Sequence, residues 1–203
     1  MLVVPIGSTE QHGPHLPLST DTDVATAVAA LVAARRSDVV VAPALPYGAS
    51  GEHAGFAGTL SIGQEALELL LVELVRSATQ TFRRVLVLSG HGGNAAPLRR
   101  AVDLLVGEGR DVRAWSPRWR GDAHAGRTET SVQLSLDPSR VRAGREAGAT
   151  APLAELLPDL RRSGVVGVSP NGVLGDPCGA DADEGAQLLE AAAADLSALL
   201  DGW

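Results

Sequence analysis

Apolar positions in this chain alternate between two patterns. Short, β-branched runs read as buried strands: Leu2 to Ile6, Asp38 to Ala42, Arg84 to Leu88 and Asp111 to Trp115. Longer segments with apolar residues at helical spacing lie between and after them. Asp23 to Arg36 is alanine-rich, with Thr22 or Asp21 placed to cap it. Ser61-Ile62-Gly63-Gln64 fits a capping box, and Leu67, Leu70, Leu71, Leu74 and Val75 follow in phase to about Phe82. A third helix opens at Ser89-Gly90-His91-Gly92-Gly93-Asn94, runs through about Val106, and stops at Gly107 and Gly109. Asp183 to Leu200 is a final helix, with Leu188, Leu189, Ala192, Leu196, Leu199 and Leu200 on one side. Val132 to Leu136 fits a helix or a strand equally well. From Asp137 to Ser163 the pattern breaks around Pro152 and Pro158, and Gly164 to Gly179 reads as a loop over the sheet.

The order β-α-β-α-β-α-β predicts a mainly parallel sheet with helices on both faces, an α/β fold. In such sheets ligands bind beyond the carboxyl ends of the strands. Two loops at that end are long for strand-to-helix links, Gly7 to Thr22 and Pro43 to Gly63, and loops of that length are usually functional. All five histidines, His12, His15, His53, His91 and His124, follow predicted strands, and none sits on a predicted helix face.

Composition narrows the picture. At 203 residues, one domain (1–203) with a sizeable core is expected. The net charge of -7 and pI near 5.2 argue against a nucleic-acid or anionic-membrane partner. One cysteine, Cys178, leaves neither an intrachain disulfide framework nor a cysteine-type zinc cluster. There is no apolar run long enough for a membrane span, and Met1 to Ile6 has no basic segment like that opening a signal peptide. A cytoplasmic location is the default expectation.

The loops carry metal-type ligands. Glu10 and His12 are two apart, so in an extended segment they point the same way. Asp21 returns at the helix start, where it can either cap or ligate. His91 lies in Gly-His-Gly-Gly-Asn, whose glycines let the backbone approach a ligand closely. A Gly-rich strand-to-helix turn also suits a phosphate, but no Gly-Lys-Ser/Thr follows and the dinucleotide fingerprint is met only loosely. His124 suits proton transfer near neutral pH, with Glu129 five residues on as a carboxylate ligand or a first-turn residue. Glu52, next to His53, is a second catalytic candidate; His15 is left to a supporting role. Together Glu10, His12, Asp21, His91 and Glu129 offer two imidazoles and three carboxylates. That donor set suits two divalent ions of the Zn, Mn or Fe type, which make water nucleophilic and polarise a carbonyl. Hydrolysis of an amide follows, with His124 giving a proton to the leaving nitrogen.

Four motifs in order resemble the creatininase family. They are Gly7-Ser8-Thr9-Glu10-Gln11-His12-Gly13-Pro14-His15-Leu16-Pro17-Leu18 with Thr20-Asp21-Thr22, then Gly51-Glu52-His53 with Gly58-Thr59, Gly90-His91-Gly92-Gly93-Asn94, and Asp122-Ala123-His124-Ala125-Gly126 with Glu129-Thr130-Ser131. The resemblance implies a three-layer α/β sandwich and a metal-dependent amidohydrolase, in a family many of whose members form hexamers. It makes Glu10, His12, Asp21 and His91 metal ligands, with Asp21 bridging, and His124 the proton-transferring residue. Creatininase itself has a ligating Glu two residues after the histidine that matches His91. Here that position is Gly93, so the fifth ligand is expected from elsewhere, from Glu129. The Tyr47 to His53 and Asp122 to Ser131 stretches look most like a family member that releases a modified carboxy-terminal Val-Tyr dipeptide from a ribosomally made precursor peptide. The alternative within the family is a small cyclic amide or formamide substrate, of the creatinine or formamidopyrimidine nucleotide type.

Overall fold

A computed structural model describes residues 1–119 and 121–203. Four parallel strands form one sheet in the order β2-β1-β3-β4: β1 Leu2–Ile6, β2 Val40–Val41, β3 Val85–Ser89 and β4 Val112–Trp115. The helices are α1 Thr20–Arg35, α2 Gln64–Ala78, α3 Ala95–Gly107, α4 Arg127–Leu136, α5 Leu153–Val168 and α6 Ala182–Asp201. Alternate strand residues build two cores, as a sheet covered on both faces requires. Val3, Leu86, Leu88 and Trp115 pack against α1, α6 and Val132 of α4. Leu2, Val4, Ile6, Val85, Val87 and Val112 pack against α2 and α3. The layers are helix, sheet, helix, the α/β sandwich expected.

Register sets the site. Leu2 pairs with Val85 and Ile6 with Ser89, so β1 and β3 end level with one another. The amide of Gly90 donates to the carbonyl of Ile6 at 2.9 Å, and the two following loops therefore leave the sheet side by side. Both exits are glycine for a steric reason. A Cβ on Gly7 would lie 2.2 Å from the Thr22 nitrogen, and one on Gly90 would lie 2.1 Å from the Asp21 carbonyl oxygen. The first turn of α1 is thereby seated directly on the strand ends, with Asp21 between them.

Several boundaries differ from those expected. α1 starts at Thr20 rather than Asp23, so Asp21 and Asp23 lie inside its first turn and neither caps it. The hydroxyl of Thr20 donates to the Pro17 carbonyl at 2.7 Å and closes the helix earlier than the alanine run suggests. β2 is two residues rather than five, because Asp38 and Val39 turn back toward Arg36 and only an edge contact with β1 remains. The capping box does not form. Gly63 holds the N-cap position of α2, and the Ser61 hydroxyl instead accepts from the amides of Ser50 and Gly63. α2 ends at Ala78, short of Phe82. Val132 to Leu136 is helical, within α4. The broken region contains α5, which keeps Pro158 inside it and bends at Gly164, with φ 64° and ψ -175°. Residues 164–168 thus extend a helix rather than form a loop. Leu153, Leu157 and Leu160 give α5 an apolar stripe that turns toward the strand ends. The last helix matches the sequence closely, with the Asp181 side chain accepting from the amides of Asp183 and Glu184 at its start. Among the described residues, no helix is long and apolar enough to cross a membrane.

Candidate metal centre

The carboxyl ends of β1 and β3, the first turn of α1 and the first turn of α4 converge on one buried cluster. His91 Nδ1 lies 3.2 Å from Glu10 Oε2 and 3.3 Å from Asp21 Oδ2. His12 Nε2 lies 3.3 Å from Asp21 Oδ1 and 3.8 Å from Glu129 Oε2. Asp21 therefore faces both imidazoles, one with each oxygen. His53 Nε2 and His124 Nδ1 approach Glu10 Oε1 at 3.3 and 3.8 Å. Glu52 Oε1 stands 3.4 Å from His91 Nε2, on the outer side of that ring. All five histidines are buried, so none is the solvated surface residue a lone His usually is.

Hydrogen bonds orient the rings. His124 Nε2 lies 2.8 Å from the Gln11 carbonyl and 3.1 Å from the Gln11 side-chain nitrogen, and Nδ1 faces Glu10. The Gln11 side-chain nitrogen reaches His53 Nδ1 at 2.8 Å and the Gly172 carbonyl at 3.0 Å. His12 Nδ1 lies 3.2 Å from the Glu10 carbonyl, which turns Nε2 inward. His15 stands outside the cluster, bonded through Nε2 to the Thr130 hydroxyl at 2.9 Å. Ala125, with φ 52°, holds the αL conformation next to His124 and sends its amide to Glu129 Oε2.

The electrostatics are those of negative charge confined away from water. Burial opposes protonation of His12, but the charges of Asp21, Glu129 and Glu10 outweigh it and raise its pKa to about 10. Burial acts the same way on His91, and Asp21 again reverses it, well above the usual imidazole value. Asp21 is held far below the ordinary carboxylate range by His12 and His91, against its own desolvation. Glu129 is pushed up to about 7 by burial and by Asp21 and Glu10. His124 goes the other way, well below its normal value, through burial and the charges of His12 and His53.

The residues fit divalent cations on two grounds. Both carboxylate oxygens of Glu10, Nε2 of His12 and Oδ2 of Asp21 are buried with no hydrogen-bond partner. Unpartnered buried polar atoms are costly and need an explanation, and a cation supplies one. The donor atoms also fall into overlapping groups, each with all atoms within 4.8 Å of one another: Glu10, Asp21 and His91, then His12, Asp21 and Glu129, then Glu10, His12 and His124. The first two share only Asp21.

The creatininase family profile, described as creatinine amidohydrolase, matches residues 1–200. The chain belongs to the creatininase family. The mycofactocin precursor peptide peptidase of Mycobacterium tuberculosis (strain CDC 1551 / Oshkosh) is 53% identical over 214 residues, covering 100% of this chain and 85% of that protein. A solved creatinine amidohydrolase (creatininase) superposes with a TM-score of 0.82 at 26% identity, over 98% of this chain and 88% of the other. A structure described as "Creatininase Mn" superposes with a TM-score of 0.79 at 26% identity, over 98% of this chain and 89% of its own.

Within this creatininase-family fold, Glu10, His12, Asp21, His91, Glu129, His124 and Glu52 all meet in the one cluster. Sequence reasoning left the role of His53 open and passed over Gln11. The Gly51-Glu52-His53 motif was a signal for the former. For Gln11 there was none, because alternation along an extended segment turns it away from Glu10 and His12. It contacts instead the two outer histidines that those ligand candidates pack against.

Proposed function

We propose that the chain is a metal-dependent peptidase that releases the carboxy-terminal Val-Tyr dipeptide from a mycofactocin-type precursor peptide. The observation that carries the chemistry is the buried, unpartnered carboxylate of Glu10 facing His91, with Asp21 facing both His91 and His12. Identity of 53% across the whole chain to a peptidase of that name supports the substrate.

In this reading Glu10, Asp21 and His91 hold one divalent ion, and His12, Asp21 and Glu129 hold a second. Zn, Mn and Fe all accept such donors. Bound ions of this kind lower the pKa of water and polarise a carbonyl. The protein's own groups do the rest. Burial and the charges of His12 and His53 push the His124 pKa well down, which favours the neutral ring, and its Nδ1 faces the cluster, where it would take a proton from the attacking water and pass it to the departing nitrogen. Gln11 holds that ring in place through its backbone carbonyl. The apolar stripe of α5, with Leu157, Leu160 and Val165, limits water on one side of the cluster.

The space around the cluster favours an extended substrate over a small cyclic amide. Two cavities of about 420 Å³ each meet at Gly90, His91, Gly92, Ala123, Glu129, Leu153 and Leu174. One runs under α5, where Leu157, Leu160 and Val165 meet Glu52, His53 and Arg161; the other is lined by Ser116, Pro117, Trp119 and Asp122. A bond cleaved where they meet has room for chain on both sides. We also propose a cytoplasmic homo-oligomer, the oligomer on the resemblance to a family many of whose members form hexamers. Incubating the purified protein with the modified precursor peptide and following products by mass spectrometry should show loss of a Val-Tyr-sized fragment. Turnover of creatinine or a formamide with the peptide left intact would move the chain to the small-molecule branch of the family.

A further inference from the structure

The structure assigns Glu52 as the positioning residue of His91, occupying space that exists because residue 93 has no side chain. The inference rests on the reading of His91 as a ligand. His91 presents Nδ1 to Glu10 and Asp21, at 3.2 and 3.3 Å. For Nδ1 to offer a lone pair there, the proton must sit on Nε2. Nε2 faces outward, 3.3 Å from the Ala49 carbonyl and 3.4 Å from Glu52 Oε1. The Ala49 carbonyl is the hydrogen-bond partner that selects this tautomer, and the Glu52 carboxylate stands beside the same N–H as a negative charge. A carboxylate behind a ligating imidazole fixes the ring and makes its inner nitrogen more basic, and losing such a partner typically weakens metal binding about 10- to 100-fold.

Gly93 makes the arrangement possible. A Cβ there would stand 2.3 Å from Glu52 Oε1, 2.4 Å from His91 Nε2 and 2.6 Å from the Ala49 carbonyl oxygen. Any side chain at 93 would push into the very atoms that orient the ring. Glu52 is delivered from a different segment, the 3-10 turn Gly51–His53, against which α5 packs. Gly164, with φ 64°, lets the bend of α5 press onto this turn, because a Cβ there would lie 2.9 Å from the Glu52 carbonyl oxygen. Residue 93 thus offers no carboxylate on the ligand side, and Glu52 stands behind the ring.

The test compares Glu52→Ala, Glu52→Gln and His91→Ala by chelator competition for Zn²⁺ and by the visible spectrum of the Co²⁺-loaded protein, with no peptide present. His91→Ala should lose the metal. Glu52→Ala should bind it about 10- to 100-fold more weakly and shift the Co²⁺ absorption bands. Glu52→Gln, which keeps an acceptor oxygen of the same reach, should recover part of that loss. If His91→Ala loses metal while both Glu52 variants bind as wild type does, this inference falls and the metal reading stands. If His91→Ala keeps its metal, the ligand reading itself falls. Should Glu52→Ala not fold, Glu52→Gln binding Zn²⁺ at full wild-type strength, with an unshifted Co²⁺ spectrum, would overturn it equally.

Discussion

Glu10→Gln should abolish both metal retention and turnover. Glu10 is fully buried, neither of its oxygens has a hydrogen-bond partner, and Asp21 lies close by. A charge in that setting is sustained only by a positive partner: His91, with Nδ1 3.2 Å away, in the metal-free chain, or a bound cation. Glutamine keeps the volume and removes the charge. It is also a much poorer ligand, and its effect on metal affinity should exceed the roughly 10- to 100-fold cost of losing an outer partner. Thermal unfolding with and without added Zn²⁺ gives the readout. Wild type should be stabilised by the metal, as any ligand that binds only the native state stabilises it. The variant should show no such shift. A variant that still gains stability from Zn²⁺ and still turns over would remove Glu10 from the ligand set.

His124→Ala should separate binding from chemistry. Its Nδ1 faces the cluster, and burial together with the charges of His12 and His53 pushes its pKa well down, which favours the neutral ring. It is therefore equipped to move a proton through Nδ1, and removing a positioned acid–base group typically costs about 10²- to 10⁴-fold in rate. The expected result is full metal content, a KM close to wild type, and a kcat lower by that factor. His124 also belongs to a donor group with Glu10 and His12, so the opposite outcome is well defined. Loss of metal in His124→Ala would make it a ligand rather than a proton carrier.

Much of this was legible in the chain, for a physical reason. A parallel sheet buries both faces of its strands, so β1 and β3 appear as continuous apolar runs, and the ligand-bearing loops follow them directly. Glycine at 7 and 90 marks close backbone contact, and these glycines seat α1 where Asp21 can reach both His12 and His91. What was hidden depended on tertiary contact. The Ser61 hydroxyl chose two loop amides over a capping box, because the loop of Ser50 lies against it. β2 shrank because an edge strand has one neighbour and needs few residues to hold it. α5 was obscured by Pro158 and Gly164, yet Leu153, Leu157 and Leu160 line the cavity beside the cluster at helical spacing. Gln11 could be found only once His53 and His124 were known to meet.

The most direct test of the central claim is the metal stoichiometry of the purified chain, by native mass spectrometry alongside elemental analysis. Two overlapping donor groups joined by Asp21 predict two divalent ions per chain in wild type, and loss of both on Asp21→Ala. A wild-type chain that binds no divalent ion at micromolar concentration, yet cleaves its substrate at full rate, would contradict the account.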